Sequence, residues 1–212
     1  DTNYTSIDVY NVDPTADANG LYECDEGETI ELDASGSWDP AGENDPLAYY
    51  WDLDGEEGYE AEGITVNYEC GNGYDEITVY LKVTDDDGGV GYDDAGITIY
   101  NIPPGVTIDN VIPQPVNEGS EVTVYVSFTD YPDDTHTAEV DWGTEDEPEY
   151  LGEVTSPFEA SHTYCNEGEY YTNVTVTDDE GAEGSYGYEI EVINVDPTAS
   201  IEGPDRSILD ET

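Results

Sequence analysis

Residues 77–88 read Ile-Thr-Val-Tyr-Leu-Lys-Val-Thr-Asp-Asp-Asp-Gly. Apolar residues occupy every second position from Ile77 to Val83, and polar residues or tyrosine lie between them. Alternation at period two places one face of a strand in a core and the other face in water. The acidic run that follows ends in Gly88, and Asp and Gly are ordinary residues of hairpin turns. This stretch therefore predicts a half-buried strand that enters a tight acidic turn.

The same alternation recurs in short segments along the chain, and no segment shows a sustained helical period. About seven such strands in roughly 90 residues are typical of a β-sandwich. We therefore predict an all-β chain of tandem sandwiches. The inward positions include Leu32, Trp51, Val66, Ile97, Val124, Val140, Trp142 and Ile190.

A junction motif divides the chain into repeats. Asn11-Val12-Asp13-Pro14-Thr15 returns at residues 194–198, and a degenerate copy begins at Asn101. Copies roughly 90 residues apart predict tandem small domains. We assign residues 11–101 and 102–194 to two domains, residues 1–10 to the last strand of a preceding repeat or a linker, and residues 195–212 to the start of a following repeat or a linker. Alternatively, the terminal strands add to neighbouring subunits of a fibre.

The charge of the chain excludes several partners. It has 212 residues, with 54 Asp and Glu against 2 Lys and Arg, and a formal net charge of −52. Such a protein cannot neutralise a nucleic-acid backbone, and an anionic membrane surface repels it. No run approaches the roughly 18 apolar residues of a membrane helix, so we expect no membrane insertion in this segment. The excess of acid also indicates a salt-rich or calcium-rich setting, because screening relieves self-repulsion.

Four stretches resemble the PKD (polycystic kidney disease) family of Ig-like domains. They are residues 27–40 (Gly-Glu-Thr-Ile-Glu-Leu-Asp-Ala-Ser-Gly-Ser-Trp-Asp-Pro), residues 50–55 (Tyr-Trp-Asp-Leu-Asp-Gly), residues 79–88, and residues 161–181 with Ser-His-Thr-Tyr and Val-Thr-Val-Thr-Asp-Asp. The second repeat departs from the pattern at residues 127–130, which read Ser-Phe-Thr-Asp. This departure weakens the transfer of a site to the second repeat.

The resemblance implies a tandem PKD-type, Ig-like architecture and a structural or adhesive module rather than an enzyme. It also implies an extracellular or cell-surface location in a prokaryote, with an archaeal source expected. Partners would be copies of the chain or neighbouring repeats in an array or filament. Glycans or surface proteins are the other partners that it suggests.

Acidic loops are the candidate metal sites of this architecture. Ig-like strand order gathers the loop after the second strand, the last hairpin and the N-terminal linker at one end of a sandwich. Calcium takes six to eight oxygen ligands, so carboxylates on adjoining loops suit it. The candidate ligands are Asp13, Asp33, Asp39, Asp45, Asp85, Asp86 and Asp87 in the first repeat, and Asp130, Asp133, Asp134, Asp178, Asp179 and Glu180 in the second.

A simpler explanation of these acids stays open. Asp-Asp-Gly is an ordinary hairpin sequence, and with a quarter of all residues acidic, clustering on loops is expected. Asp13 also precedes Pro14 and thereby favours an extended junction.

The three cysteines predict one disulfide in this topology. Cys24 and Cys70 fall at the same end of the first domain, and we pair them. Cys165 aligns with Cys70, but Val116 stands at the position of Cys24. We therefore expect Cys165 to be free or to pair with another chain.

Ordinary structural roles are expected for several other residues. His162 should pack on its strand, His136 should be solvated in an acidic loop, and Trp51 and Trp142 should lie in the cores. Asn3 and Asn173 begin sequons suited to glycosylation in an exported protein.

Three functions remain in order of preference. The first is a non-catalytic structural rod in a surface layer, stalk or filament, stiffened by calcium. The second is an adhesive module that binds carbohydrate or protein. The third, an enzyme with paired carboxylates, has no support, because paired acids occur throughout this chain.

Overall fold

The computed structural model describes residues 5 and 7–199. Within these residues the regular structure consists of fifteen strands and one short 3-10 helix, Gly42–Asn44. This confirms the all-β prediction. The strands are β1 Leu21–Asp25, β2 Thr29–Asp33, β3 Ala48–Asp52, β4 Ala61–Glu62, β5 Thr65–Glu69, β6 Asp75–Thr84, β7 Val90–Tyr100, β8 Gly105–Ile112, β9 Val116–Asn117, β10 Glu121–Thr129, β11 His136–Asp141, β12 Glu149–Val154, β13 Phe158–Thr163, β14 Gly168–Thr177 and β15 Glu183–Ile193.

Strands β1 to β7 form a first sandwich of two sheets. One sheet has the order β1-β7-β6-β3-β4, and β2 pairs with β5 in the other. β1 runs parallel to β7, whereas β6 pairs with β7 antiparallel from Asp75↔Ile99 to Thr84↔Val90. This last register closes the β6–β7 hairpin around residues 85–89, which is the acidic turn that the sequence predicts.

Strands β8 to β15 repeat this arrangement. Their five-stranded sheet has the order β12-β11-β14-β15-β9, and their three-stranded sheet has the order β13-β10-β8. The parallel pair recurs as β9 with β15. In the first sandwich, the place of β8 is taken by a single bridge from Thr15 to Trp38.

Alternating side chains build both cores. In β6, Val79, Leu81 and Val83 are fully buried, while Tyr80 between them is 45% exposed. Trp51 and Trp142 are buried as predicted, at 0% and 5% exposure. Val, Ile, Tyr and Thr dominate these strands because branched and aromatic side chains fit a pleated, half-buried surface.

By contact density the chain divides into two compact units. The first comprises Asp1–Gly105 with the segments Thr129–Thr137 and Val176–Gly184, and the second comprises Val106–Phe128, Ala138–Thr175 and Ser185–Thr212. The acidic segments around Asp134 and Asp179 therefore group with the first unit.

The chain ends carry no strand where they are described. Ile7 and Val9 are 84% and 89% exposed, and residues 194–199 are irregular. The other residues of the two predicted terminal segments lie outside the described residues. Among the described residues, no helix has the length and apolar character needed to cross a membrane.

Candidate functional site

Asp85 is held at the β6–β7 turn by two separate parts of the chain. Its Oδ1 accepts the backbone N–H of Gly89 at 2.6 Å. Its Oδ2 accepts the side-chain amide of Asn11 at 2.9 Å. The Asn11 hydrogen bond is the main cause that holds the pKa of Asp85 below its ordinary value. Asp85 is therefore an oriented, ionised carboxylate.

Asp39 and Asp45 bring two more carboxylates to Asp85. One oxygen from each of the three lies within 4.8 Å of the others. All three residues are buried, at 8%, 6% and 7% exposure for Asp39, Asp45 and Asp85. Oδ2 of Asp39 is buried without a hydrogen-bond partner. An unpaired buried polar atom costs about 1–3 kcal/mol, and more when it is charged, so this oxygen is suited to a cation.

Asp45 connects this group to the exposed Asp86 and Asp87. It accepts the backbone N–H of Asp86 at 3.2 Å, and oxygens of all three residues lie within 4.8 Å of one another. Burial raises the pKa of Asp45, and the nearby carboxyl groups of Asp86 and Asp85 raise it further. Like charges at this separation repel, and a divalent cation would convert that repulsion into coordination.

Gly89 leaves room for Asp13 beside the same carboxylate. A Cβ atom at residue 89 would lie 2.9 Å from Asp13 Oδ1 and would collide with Asp85 Oδ2. Ala182 is the counterpart of Gly89, because both donate a backbone N–H to the Asp that opens the turn. In that repeat the junction residue is Pro103 instead of Asp13. The junction therefore carries a carboxylate, Asp13, in the repeat whose turn has Gly89, and it lacks one in the repeat whose turn has Ala182.

Asp33 does not join this group. Its carboxylate accepts the backbone N–H of Ser35 at 2.7 Å and the Ser35 hydroxyl at 2.9 Å. The first acidic cluster, defined from here as Asp13, Asp39, Asp45, Asp85, Asp86 and Asp87, therefore contains every predicted ligand of the first repeat except Asp33.

A further acidic group was missed by the sequence reasoning. Asp52, Asp54 and Glu60 place one oxygen each within 4.8 Å of the others. The Trp51-Asp52-Leu53-Asp54-Gly55 turn is its sequence signal. Its carboxylates bind nearby backbone N–H groups, since Asp52 accepts from Gly55 at 2.7 Å and Glu60 from Leu53 at 2.8 Å. This group is accounted for by the turn that it stabilises.

The second repeat gathers a different set, in which one member is a histidine. Asp130, Asp134 and His136 lie at the end of β10 and the start of β11, and one ligand atom from each lies within 4.8 Å of the others. His136 is 9% exposed, and its Nε2 lies 2.9 Å from Asp130 Oδ2. The prediction of a solvated His136 is therefore wrong, because residue 136 takes an inward position as β11 begins.

Asp134 also meets the β14–β15 turn. Its carboxylate, that of Asp179 and that of Glu180 form another group within 4.8 Å. Burial raises the pKa of Asp134 to about 6, and the charges of Glu26, Asp130 and Glu180 contribute, while Asn72 opposes the rise. Burial also raises the pKa of Glu180. The second cluster is defined from here as Asp130, Asp134, His136, Asp179 and Glu180.

The two remaining predicted ligands of this repeat are not members of the second cluster. Asp133 is exposed. Asp178 is 5% exposed and accepts the Asn101 amide at 3.0 Å and the Ala182 N–H at 2.8 Å. Asp178 therefore closes its hairpin in the way that Asp85 closes the first one.

Cys24 and Cys70 form a disulfide between the two sheets of the first sandwich, across a sequence separation of 46. Cys165 is free and exposed. Its alignment with Cys70 does not hold: Gly27 donates its N–H to Cys70 O, and the corresponding Gly119 donates to Tyr164 O. Tyr164, buried at 1% exposure, takes the place of the disulfide cysteine.

His162 packs in an aromatic stack. Its ring is stacked on Trp142 at a centroid distance of 5.0 Å and contacts Tyr164 edge-on at 4.7 Å. Burial lowers the pKa of His162. The same stack borders an open cleft of about 480 Å³ that Glu145, Asp146 and Tyr170 also line.

Of the two sequons, Asn3 lies outside the described residues. Asn173 is half-buried on β14, and its side-chain amide donates to the Thr175 hydroxyl at 3.3 Å.

An aromatic face surrounds Lys82 on the five-stranded sheet of the first sandwich. The Nζ of Lys82 lies 5.3 Å from the ring centroid of Tyr50 and 5.2 Å from that of Tyr59. Tyr92, which is 70% exposed, is the cross-strand neighbour of Lys82 on β7. Lys82 is one of two cationic side chains in the sequence. This face offers flat aromatic surface around a cation.

The sequence pattern of the family described as "PKD domain" matches residues 102–192. This match covers the strands β8 to β15, whose two-sheet topology is that of an Ig-like sandwich. By this match, residues 102–192 resemble a PKD domain. PKD domains are non-catalytic modules as a rule, and they are usually found in extracellular or surface proteins.

Several solved structures resemble this chain. A nucleoside hydrolase-related hypothetical protein from Saccharophagus degradans, associated with carbohydrate metabolism, is 25% identical over 42% of this chain, with a TM-score of 0.36; the match spans 26% of that protein. The PKD domain of an M14-like peptidase from a Thermoplasmatales archaeon is 23% identical, with 42% of this chain and 92% of that one covered and a TM-score of 0.34. The fibronectin(III)-like modules of Clostridium thermocellum CbhA are 13% identical, with coverages of 89% and 100% and a TM-score of 0.38.

Proposed function

We propose that this chain is a non-catalytic, extracellular structural protein in which tandem PKD-type sandwiches form a rod. The rod belongs to a surface layer, stalk or filament and contacts copies of itself or neighbouring repeats. Calcium at the acidic loops stiffens it. The observation that carries the calcium proposal is Asp39 Oδ2, a buried carboxylate oxygen without a partner that lies among the carboxylates of Asp45 and Asp85.

The donor set of the first cluster suits calcium. Every side-chain donor in it is a carboxylate oxygen, and calcium binds six to eight oxygens with flexible geometry. The ligands come from three separate segments: Asp13 from the junction, Asp39 and Asp45 from the loop after β2, and Asp85 from the β6–β7 turn. An ion shared by these segments would restrain the junction residues against the hairpin. Such a restraint supports a stiff array.

The calcium proposal is tested by thermal unfolding of the chain in calcium and in chelator at fixed ionic strength. We expect calcium to raise the Tm saturably, and magnesium at the same concentration to raise it less, because magnesium requires stricter geometry. Asp39→Asn should remove the calcium response. Asp94→Asn, which removes an equal charge from an exposed position on β7, should keep it. A Tm that is the same in calcium and in chelator refutes the calcium role.

The rod itself requires a separate measurement. Electron microscopy of material isolated from its native source should show filaments or a lattice with a regular domain repeat. Isolated monomers under native salt and calcium would contradict assembly.

The aromatic face supports a second function, adhesion to carbohydrate. Aromatic rings present broad apolar surfaces with polar tips, and Tyr50, Tyr59 and Tyr92 place three of them around Lys82. Binding of soluble polysaccharides would reveal this function. Tyr92→Ala should abolish such binding, whereas Tyr150→Ala, a change at another exposed tyrosine, should not. No retention by any polysaccharide would remove this alternative.

A further inference from the structure

The second cluster differs from the first in chemistry as well as in position. Asp130 directly follows β10, Asp134 lies in the loop, and His136 opens β11, so the ligands are spaced Asp-x3-Asp-x-His. One ligand atom from each lies within 4.8 Å of the others. An imidazole nitrogen and two carboxylates thus converge on one point in a short segment of chain.

The carboxylates at this point are buried and incompletely bonded. The side chain of Asp130 is 2% exposed, and its Oδ1 has no hydrogen-bond partner. Both carboxylate oxygens of Asp134 are also buried; neither makes a hydrogen bond of full geometry, although the Asn72 side chain approaches them closely enough to lower the pKa of the carboxyl group. Nearly all buried polar groups in proteins find a partner, so the unpaired Asp130 oxygen beside the weakly bonded Asp134 carboxylate calls for a specific cause. A bound cation is such a cause, because it offers the charge and the coordination that these oxygens lack.

The imidazole decides which class of cation fits. Calcium and magnesium are hard ions that take oxygen ligands, whereas zinc, nickel, copper and iron accept imidazole readily. Zinc combines His and Asp ligands at about 2.0–2.2 Å. We propose that Asp130, Asp134 and His136 bind a divalent transition-metal ion of the zinc type, in a site distinct from the calcium site of the first cluster.

Neighbouring residues complete the environment of this site. Asp179 and Glu180 form a neighbouring group with Asp134, in which one carboxylate oxygen from each lies within 4.8 Å of the others, and this group offers further carboxylates beside the site. Asp179 is itself oriented, because its Oδ1 accepts the backbone N–H of Thr135 at 2.9 Å.

Cobalt(II) is the probe for this site, because its visible absorption reports the ligand set and zinc replaces it. The titration uses the untagged chain in the Cys165→Ser background, which removes the exposed thiol as a competing ligand. We expect cobalt absorption at about one equivalent. Zinc should abolish it, and excess calcium should leave it. His136→Gln should weaken cobalt binding at least about tenfold, the loss that even outer-shell changes produce.

Two controls separate this site from the rest of the molecule. Asp133→Asn changes an exposed carboxylate in the same loop and should keep cobalt affinity. Asp39→Asn should also keep it, since that residue belongs to the first cluster. A calcium response without cobalt binding would overturn this inference and leave the calcium proposal intact. Cobalt binding without a calcium response would support this inference and overturn the calcium proposal.

A measurement on the chain with native His136 guards against misfolding of the variant. Imidazole nitrogen resonances of His136 should shift when zinc is added and return when a chelator removes it. Those of His162, which stacks on Trp142, should stay unchanged. Resonances of His136 that do not respond to zinc, or cobalt absorption that His136→Gln leaves unaltered, would overturn the proposal.

Discussion

Asn11 donates its side-chain amide to Asp85 Oδ2 at 2.9 Å, across 74 residues of sequence. The next junction repeats this contact, with Asn101 donating to Asp178 at 3.0 Å. Both acceptors also close their own hairpin, through Gly89 N–H in one case and Ala182 N–H in the other. The Asn of the first two copies of the junction motif therefore anchors its linker to an acidic turn.

Replacing this junction asparagine should destabilise the chain. Asn11→Ala leaves the buried Asp85 with one hydrogen bond fewer, so we expect a Tm several degrees lower in differential scanning calorimetry. Asn67→Ala on β5, where the side chain is exposed, provides the comparison and should leave the Tm unchanged. Equal losses from both changes would show that the contact has no stabilising role.

Adding one methyl group at Gly89 should disrupt the first cluster. The new Cβ would lie 2.9 Å from Asp13 Oδ1 and collide with Asp85 Oδ2. We therefore expect Gly89→Ala to lower the Tm in chelator and to reduce the rise that calcium produces. Gly71→Ala is the matched change, because a Cβ there meets open space. A normal calcium response in Gly89→Ala would exclude these oxygens as ligands.

The disulfide should contribute substantially to stability. Removing the Cys24–Cys70 cross-link, by Cys24→Ala with Cys70→Ala, releases a constraint on a long segment of the unfolded chain. The expected loss is about 2–4 kcal/mol in the free energy of unfolding, measured by urea titration. Cys165→Ser removes the exposed free cysteine and should have no effect. A reducing agent should lower the Tm of the native chain and spare that of the double variant.

The two tryptophans of the first sandwich should respond differently to truncation. Trp51 is fully buried and donates its Nε1–H to Gly63 O at 3.1 Å. Trp51→Ala should cost about 3–5 kcal/mol, since it leaves a cavity in the core. Trp38 is 55% exposed, and Trp38→Ala should cost far less. Chemical denaturation of both variants makes the comparison, and similar losses would contradict the assigned core.

His162 should make stability depend on pH. Burial lowers its pKa below the ordinary value of 6.5, with Glu149 and Asp146 opposing the shift. The unfolded chain therefore takes up the proton first, and His162 weakens the fold as the pH falls below about 6.5. His162→Phe retains a ring against Trp142 and should remove this part of the pH dependence. Unfolding at several pH values between about 5 and 7 measures it. NMR titration of His162 at or above 6.5 would contradict the shift.

Local patterns in the sequence predicted much of the fold. The alternation from Ile77 to Val83 predicted the inward face of β6, and the Asp-Asp-Asp-Gly run predicted the turn after it. Both are properties of consecutive residues, which the backbone geometry of a strand or turn fixes within a few positions. The inward Trp51 and Trp142 follow from the same period of two.

The sites depended on contacts that no local pattern contains. Asp33 and Asp39 are only six residues apart in the sequence, yet the carboxylate of Asp33 bonds to Ser35 while that of Asp39 lies near those of Asp45 and Asp85. Which carboxylates meet is decided by strand order and register, because these bring residues from distant segments to one end of a sandwich.

The sequence by itself determined the strand alternation, the acidic turns and the repeated junction. Only the tertiary structure placed His136 inside and substituted Tyr164, rather than Cys165, at the position of Cys70. A one-residue shift in register moves a side chain to the opposite face of a sheet, and the sequence around residues 164 and 165 does not specify that shift. The net charge of −52 follows from the composition alone. Which few carboxylate oxygens are buried without a hydrogen-bond partner depends on the tertiary structure.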